Sequence, residues 1–280
     1  MEFDIKKPQA SSKGDKLLKV AFITALAVAL VHIASAMTID KIIQYKEVPL
    51  VSPDVPSHID GYRIGFITDI HALPSDTMNA MVDKLNTKGL DLLLLGGDFP
   101  TKGKAPERAL EILSQVEAKD GIYGVDGNHD NYRTLFRAME KFSIIPLTNS
   151  GLYVREGFFL AGVEDLILRK PDIAKAIEGS KEDDFVILLS HNPDVTMLQS
   201  TKGVDLALCG HTHSGQVTLF GIWAPYLSFT KGVTKYGQRF MKGWAKSMDG
   251  VPVYVSNGTG DYLPRVFARR QVIIVTLCQE

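Results

Sequence analysis

Five of the seven histidines in this 280-residue chain stand in short clusters with Asp, Asn, Gly or a second His. The clusters are Asp69-Ile70-His71, Gly127-Asn128-His129-Asp130, Ser190-His191-Asn192-Pro193 and Gly210-His211-Thr212-His213, joined by the pair Gly97-Asp98. Imidazole and carboxylate together, without thiolate, make a donor set for Zn, Mn or Fe rather than Ca or copper(I), and do not choose among those three. In extended chain, residues i and i+2 point the same way, so Asp69 with His71, and His211 with His213, can each turn two donors to one pocket. Asp98 is the candidate to bridge two cations, and glycines 97, 127 and 210 permit the tight turns such a pocket needs. Taken singly, each cluster reads more readily as a turn or a hydrogen-bonded core histidine than as a site. Their joint occurrence, each just after a predicted strand, is what points to a site at the carboxyl ends of a sheet.

Positioning those groups takes a frame of alternating elements, and the sequence contains one. Residues 63–67 and 92–95 read as strands, the second wholly apolar and therefore central. Met78, Met81, Val82 and Leu85 follow helical spacing, with Gly89 as the stop. Pro106 opens a further helix that the pattern carries to about Lys119, ahead of Gly121. Strand, turn and helix recur through 122–141, and apolar, β-branched runs follow at 184–189, 204–208, 251–255 and 272–277. This alternation defines a layered α/β domain over residues 61–280. Residues 40–60, with Pro49, Pro53 and Pro56 among polar residues, read as an extended linker.

Motifs D-x-H, G-D, G-N-H-D, H and G-H-x-H, in that order, resemble the calcineurin-like metallophosphoesterases over residues 62–277. The resemblance implies a four-layer α/β/β/α sandwich and two divalent transition metals, Mn, Zn or Fe. One metal would be held by Asp69, His71, Asp98 and His213, the other by Asp98, Asn128, His191 and His211. His129 would remain off the metals as an acid or phosphate contact, with Asp130 orienting it. Two such cations lower the pKa of a bridging water and polarise phosphoryl oxygens, so in-line hydrolysis of a phosphoric ester is the expected reaction. A diester is the first expectation, with a monoester or a nucleotide-lipid pyrophosphate as alternatives and a non-catalytic metal-binding module as a distant one. Residues 190–193, 210–216 and 258–260 carry a nearer likeness to membrane-anchored or exported bacterial phosphodiesterases, a branch that includes UDP-2,3-diacylglucosamine hydrolases. Ser214 and Arg270-Gln271-Val272 depart from that branch's pattern without touching a metal ligand. Neither G-x-S-x-G nor H-E-x-x-H occurs.

Composition narrows the partners. A formal net charge of −1 lacks the excess of cations with which duplex binders collect phosphates, so no nucleic-acid partner is expected. Two cysteines, Cys209 and Cys278, form no Cys-x-x-Cys pair, and Cys209 ends an apolar run as a small hydrophobe would. Residues 20–39 carry no Asp, Glu, Lys or Arg, enough as a helix to cross a bilayer. Lys6, Lys7, Lys13, Lys16 and Lys19 precede them, which by the positive-inside bias keeps residues 1–19 cytoplasmic and the domain outside. Ala34-Ser35-Ala36 also offers a cleavage site, making secretion the rival to a single-pass anchor. Between Leu206 and Met248 no acidic residue occurs, while Lys231, Lys235, Arg239, Lys242 and Lys246 alternate with Phe220, Trp223, Tyr226, Phe229, Tyr236, Phe240 and Trp244. This basic, aromatic stretch suits a rim for a phosphate ester, a membrane interface, or an ordinary solvated hairpin. With the anchor, it motivates the expectation of a lipid-linked substrate.

Overall fold

The computed structural model describes residues 13–71, 73–99, 105–260 and 264–280. Lys6 and Lys7 of the basic tail lie outside the described residues. In chain order the elements are α1 (Lys13–Met37), β1 (Gln44–Ser52), β2 (Arg63–Ile67), α2 (Ser75–Asn86), β3 (Leu92–Leu95), α3 (Glu107–Leu113), β4 (Ile122–Gly124), α4 (Tyr132–Lys141), β5 (Ile145–Pro146), β6 (Ser150–Arg155) and β7 (Phe158–Gly162). There follow α5 (Ile173–Ala176), β8 (Phe185–Leu189), α6 (Val195–Leu198), β9 (Leu206–Cys209), α7 (Pro225–Phe229), β10 (Gly243–Lys246), β11 (Pro252–Val255) and β12 (Gln271–Gln279).

Two six-stranded sheets form, in the orders β1-β12-β2-β3-β4-β5 and β10-β11-β9-β8-β7-β6. Their facing sides share one apolar core, in which Ile64, Phe66, Leu92 and Leu94 of the first meet Leu160, Ile187, Leu189 and Leu208 of the second. Alternation along each strand sends the intervening residues outward. Leu93 and Leu95 pack on Met78, Met81, Val82 and Leu85 of α2, together with Leu110 of α3 and Leu135 of α4. On the far side, Val186 and Leu188 pack on Ile173 of α5 and Val195 of α6, beside Cys209. The architecture is the expected four-layer α/β/β/α sandwich. The parallel run β2-β3-β4 and the parallel pair β8-β9 are the strands that matter for the site, because their carboxyl ends carry the histidine and carboxylate clusters.

Two segments differ from expectation. Residues 40–60 are not a linker throughout, since β1 runs parallel to β12 from Gln44↔Gln271 to Ser52↔Gln279. Val48 and Leu50 turn into the inter-sheet core, and Pro49 is accommodated because β1 is an edge strand, where a missing N–H costs no ladder bond. The helix opened by Pro106 stops at Leu113 rather than near Lys119, because Lys119 N–H donates to Leu90 O and Ala118 bridges to Leu90. Its last residues are thus drawn into an edge contact with the chain entering β3. Helix α1 begins inside the expected tail and exposes Leu17, Val20, Phe22, Ile23 and Leu26 along its length, long and apolar enough to cross a membrane.

Candidate metal centre

Strand ends deliver every group that the sequence singled out. Asp69 and His71 follow β2, Asp98 follows β3, and residues 128–130 follow β4, while His191 follows β8 and His211 with His213 follow β9. Both sheets therefore contribute. Asp69, His71, Asp98 and His213 each turn one donor atom into a group whose members lie within 4.8 Å of one another. Within it, His71 Nε2 is 3.1 Å from His213 Nε2, and His213 Nε2 is 3.3 Å from Asp69 Oδ1. A second group closes on His191 Nε2, which is 3.3 Å from Asp98 Oδ2, 3.1 Å from Asn128 Oδ1 and 3.2 Å from His211 Nδ1. Asp98 Oδ2 is common to both, since it also lies 3.6 Å from His71 Nε2. Donors that share a cation at about 2.0–2.2 Å stand roughly 3.0–3.5 Å from one another, which is the spacing of these edges.

Hydrogen bonds outside the cluster fix which ring nitrogens face inward. His191 Nδ1 lies 2.8 Å from Gly96 O and His211 Nε2 lies 2.8 Å from Val233 O. A carbonyl only accepts, so both of those nitrogens carry protons and the opposite nitrogens, His191 Nε2 and His211 Nδ1, are the ones left to bind. Two imidazole lone pairs facing at 3.2 Å repel unless a positive charge sits between them. A proton on His191 meets that need in part: burial opposes it, but the Asp98 carboxylate wins and raises the His191 pKa well above the imidazole range. His71 and His211 shift the other way. Burial, then the like charge of His213, pushes His71 down to about 4, and burial with His191 does the same to His211. Both rings are therefore neutral donors at physiological pH. Burial would raise Asp69, but the imidazole of His213 holds it well below the usual carboxylate range. Two buried carboxylates facing four imidazoles fit divalent cations, which would bind His191 in its neutral form.

The backbone is strained where the donors sit. Five of the seven candidate ligands occupy the left-handed region: Asp69 (φ 53), His71 (φ 43), Asp98 (φ 58), His211 (φ 72) and His213 (φ 50). Sequence reasoning placed Asp69 with His71, and His211 with His213, on extended chain; the pairs do meet at the centre, but through left-handed turns. One consequence is that His211 and His213 diverge to different groups instead of pointing alike. Those turns demand close approach. A Cβ on Gly210 would lie 2.4 Å from Asp69 Oδ2 and 2.3 Å from Thr68 Oγ1, so Gly210→Ala is expected to displace Asp69 and cut metal affinity by about 10–100-fold, read by titration of the metal-free protein with Mn or Zn.

The Asp130 carboxyl is met by main-chain donors. Its Oδ2 accepts from the amides of Asp98 (2.8 Å) and Gly127 (2.9 Å), and its Oδ1 from Phe99 (3.1 Å), so it holds the two ligand-bearing turns together. Burial, then the neighbouring Asp98 charge, pushes its carboxyl up to about 8. His129 donates its backbone N–H to Asp98 Oδ1 at 2.8 Å, leaving Oδ2 for the centre, and its ring stands 5.2 Å from that of His71. Sequence reasoning missed Arg265, which is buried, donates to the carbonyls of Gly260, Asn257 and Ala268, and lies 3.3 Å from His213 Nδ1. No local pattern marks an arginine as buried. The carbonyls of Gly96 and Val233 were invisible for the same reason, being main-chain atoms of segments that meet only in the fold.

Above the centre opens a cavity of about 550 Å³. Asp98, Asn128, His129, His211 and His213 line its polar end, whereas Ile167, Val217, Tyr226, Val233 and Pro264 make its walls apolar. The loop bearing Ile167 is held by Arg169, whose guanidinium lies 4.3 Å over the Tyr132 ring, 3.5 Å from Asp126 and bonded to Glu164.

The calcineurin-like phosphoesterase profile matches residues 62–215, more than half of the chain, and the chain belongs to that family. An "Uncharacterized metallophosphoesterase" of Helicobacter pylori is 28% identical over 228 residues, covering 77% of this chain and 58% of that protein. A "Transmembrane protein with metallophosphoesterase domain" of Danio rerio is 28% identical over 285 residues, covering 93% and 62% respectively. YkuE of Bacillus subtilis, another "Uncharacterized metallophosphoesterase", is 26% identical over 252 residues, covering 84% and 85%. The chain thus spans less than two thirds of the Helicobacter and zebrafish relatives.

Proposed function

We propose that the chain is a metal-dependent phosphoric ester hydrolase, acting first on diesters, carried on a single membrane span. The observation that carries this reading is the facing pair His191 Nε2 and His211 Nδ1, each with its other nitrogen spent on a carbonyl, beside an Asp98 oxygen common to both donor groups. Asp69, His71, Asp98 and His213 would hold one cation and Asp98, Asn128, His191 and His211 the other. Bound there, two divalent ions supply Lewis acidity to the phosphoryl group and an activated water near neutral pH. The protein's own part is positional. Asp98 and Asp130 lock the turns after β3 and β4, the apolar walls exclude bulk water, and the His129 ring stands at the cavity edge to give a proton to the departing oxygen.

Apolar walls beside a phosphate-binding end favour an ester with an apolar substituent, lipid-linked in the simplest case. The net charge of −1 argues against a nucleic-acid substrate. Lysines 13, 16 and 19 at the start of α1 support a cytoplasmic N-terminus and an extracytoplasmic domain. The test is a panel on full-length protein stripped and reloaded with Mn, Zn or Fe, assayed against bis-p-nitrophenyl phosphate, p-nitrophenyl phosphate and a nucleotide-lipid pyrophosphate. Turnover restored by metal, strongest on the diester, is expected. Stoichiometric metal uptake with no turnover of any of the three would leave a binding module and overturn the reading.

A further inference from the structure

The segment that walls the cavity also touches α1. His32, on the membrane-length helix, packs edge-on against Phe220 with ring centroids 4.7 Å apart and against Phe267 at 4.9 Å. The foot of α1 is tied to the same place, because Asp40 accepts from Ser35 Oγ at 2.7 Å and from Phe267 N–H at 2.8 Å. His32 stands five residues before the end of α1 at Met37, which at 1.5 Å per residue is about 7 Å up the helix. If α1 spans a bilayer with its uncharged run in the hydrocarbon, Phe220 lies about that far inside the boundary, within the ~5–10 Å that interfacial elements reach. Phe220 has apolar company there. Ile222 is 80% exposed and Phe229 79% exposed, with Val217, Leu219 and Tyr226 about half exposed around them. Six large apolar side chains left open along thirteen residues are far from the scattered exposure normal for a soluble surface.

We propose that residues 217–229 form a bilayer-seating face, continuous with α1, that sinks into the lipid interface and holds the mouth of the cavity against the membrane surface. Val217 and Tyr226 belong to both the face and the cavity wall, so the metal centre opens where lipid headgroups lie. Lys231 and Lys235, exposed just beyond the face, flank it as interfacial cations do. For catalysis this favours phosphoesters whose apolar part stays in the bilayer, a consequence that rests on the hydrolase reading, whereas the seating itself does not.

The experiment uses the full chain with Trp244→Phe, so that Trp223 in this face is the remaining tryptophan of the two. Reconstituted in phosphatidylcholine nanodiscs, its fluorescence is compared between ordinary lipid and lipid brominated in the acyl chains. Seating predicts that bromination lowers Trp223 emission to roughly half or below, since indole at the interface contacts the chains. Ile222→Ser with Phe229→Ser, still held by α1, should lose most of that quenching. It should also turn over hexadecyl p-nitrophenyl phosphate in nanodiscs about tenfold more slowly while hydrolysing soluble methyl p-nitrophenyl phosphate at the unvaried rate. Emission indifferent to bromination in the unvaried face overturns the proposal and leaves the patch to a protein partner or a second copy. Quenching without hydrolysis of either ester by the metal-loaded chain upholds the seating and removes the hydrolase reading instead.

Discussion

Asp98→Asn is expected to strip the chain of bound metal and lower diester turnover by about three orders of magnitude, equivalent to roughly 4 kcal/mol of lost transition-state stabilisation. The substitution keeps the size of the side chain and removes one negative charge from the oxygen nearest both donor groups, 3.3 Å from His191 Nε2 and 3.6 Å from His71 Nε2. A neutral amide there leaves Asp69 as the only carboxylate among the seven candidate ligands, too little charge to hold two divalent cations. The amide oxygen can still accept the His129 N–H that Asp98 Oδ1 now receives, so the turn after β4 keeps its anchor. Metal per chain by elemental analysis, with circular dichroism as the control for folding, separates the two effects. A folded variant that retains two cations per chain and turns over bis-p-nitrophenyl phosphate within tenfold of the parent would deny Asp98 its place.

How much of this was legible in the residues follows from how local each signal is. The strand at 63–67, the strand at 92–95 and helix α2 were readable because short-range periodicity alone specifies them. The seven candidate ligands could be singled out as well, since each motif couples a distinctive residue to the end of a predicted strand, and the fold brings them together. Strand β1 was hidden by Pro49, which contradicts a central strand, and only the tertiary fact that β1 lies on an edge removes the conflict. Helix α3 was overextended because the periodic pattern past Leu113 is real, yet Leu90 competes for the same backbone. The left-handed turns at Asp69, His71 and His211 were illegible for a further reason. Their cost, about 1–3 kcal/mol each, is unfavourable locally and tolerated only because the surrounding fold over-determines the turn, so no local propensity announces them. The same holds for the carbonyls of Gly96 and Val233, which choose the tautomers of His191 and His211 from segments distant in sequence.

His129→Asn separates the chemistry of the leaving group from the binding of metal. Its ring lies at the cavity edge beside Asn128 and Asp98, while its main-chain N–H, which any residue retains, is what steadies Asp98. Metal content should therefore stay near that of the parent. Turnover of a diester that expels an alkoxide should fall about a hundredfold to ten-thousandfold, the range that a positioned general acid contributes. Loss on a nitrophenyl ester should be much smaller, because nitrophenolate departs without needing a proton. The diagnostic is thus the ratio of the two losses, measured with one enzyme preparation at one metal loading. Equal losses on both esters would assign His129 to phosphate binding, where the departing group is irrelevant, and a parallel fall in bound metal would make it a ligand. Retained metal is the expected pattern, since the Nε2 and Nδ1 atoms that converge within 3.3 Å in the two donor groups are those of His71, His191, His211 and His213.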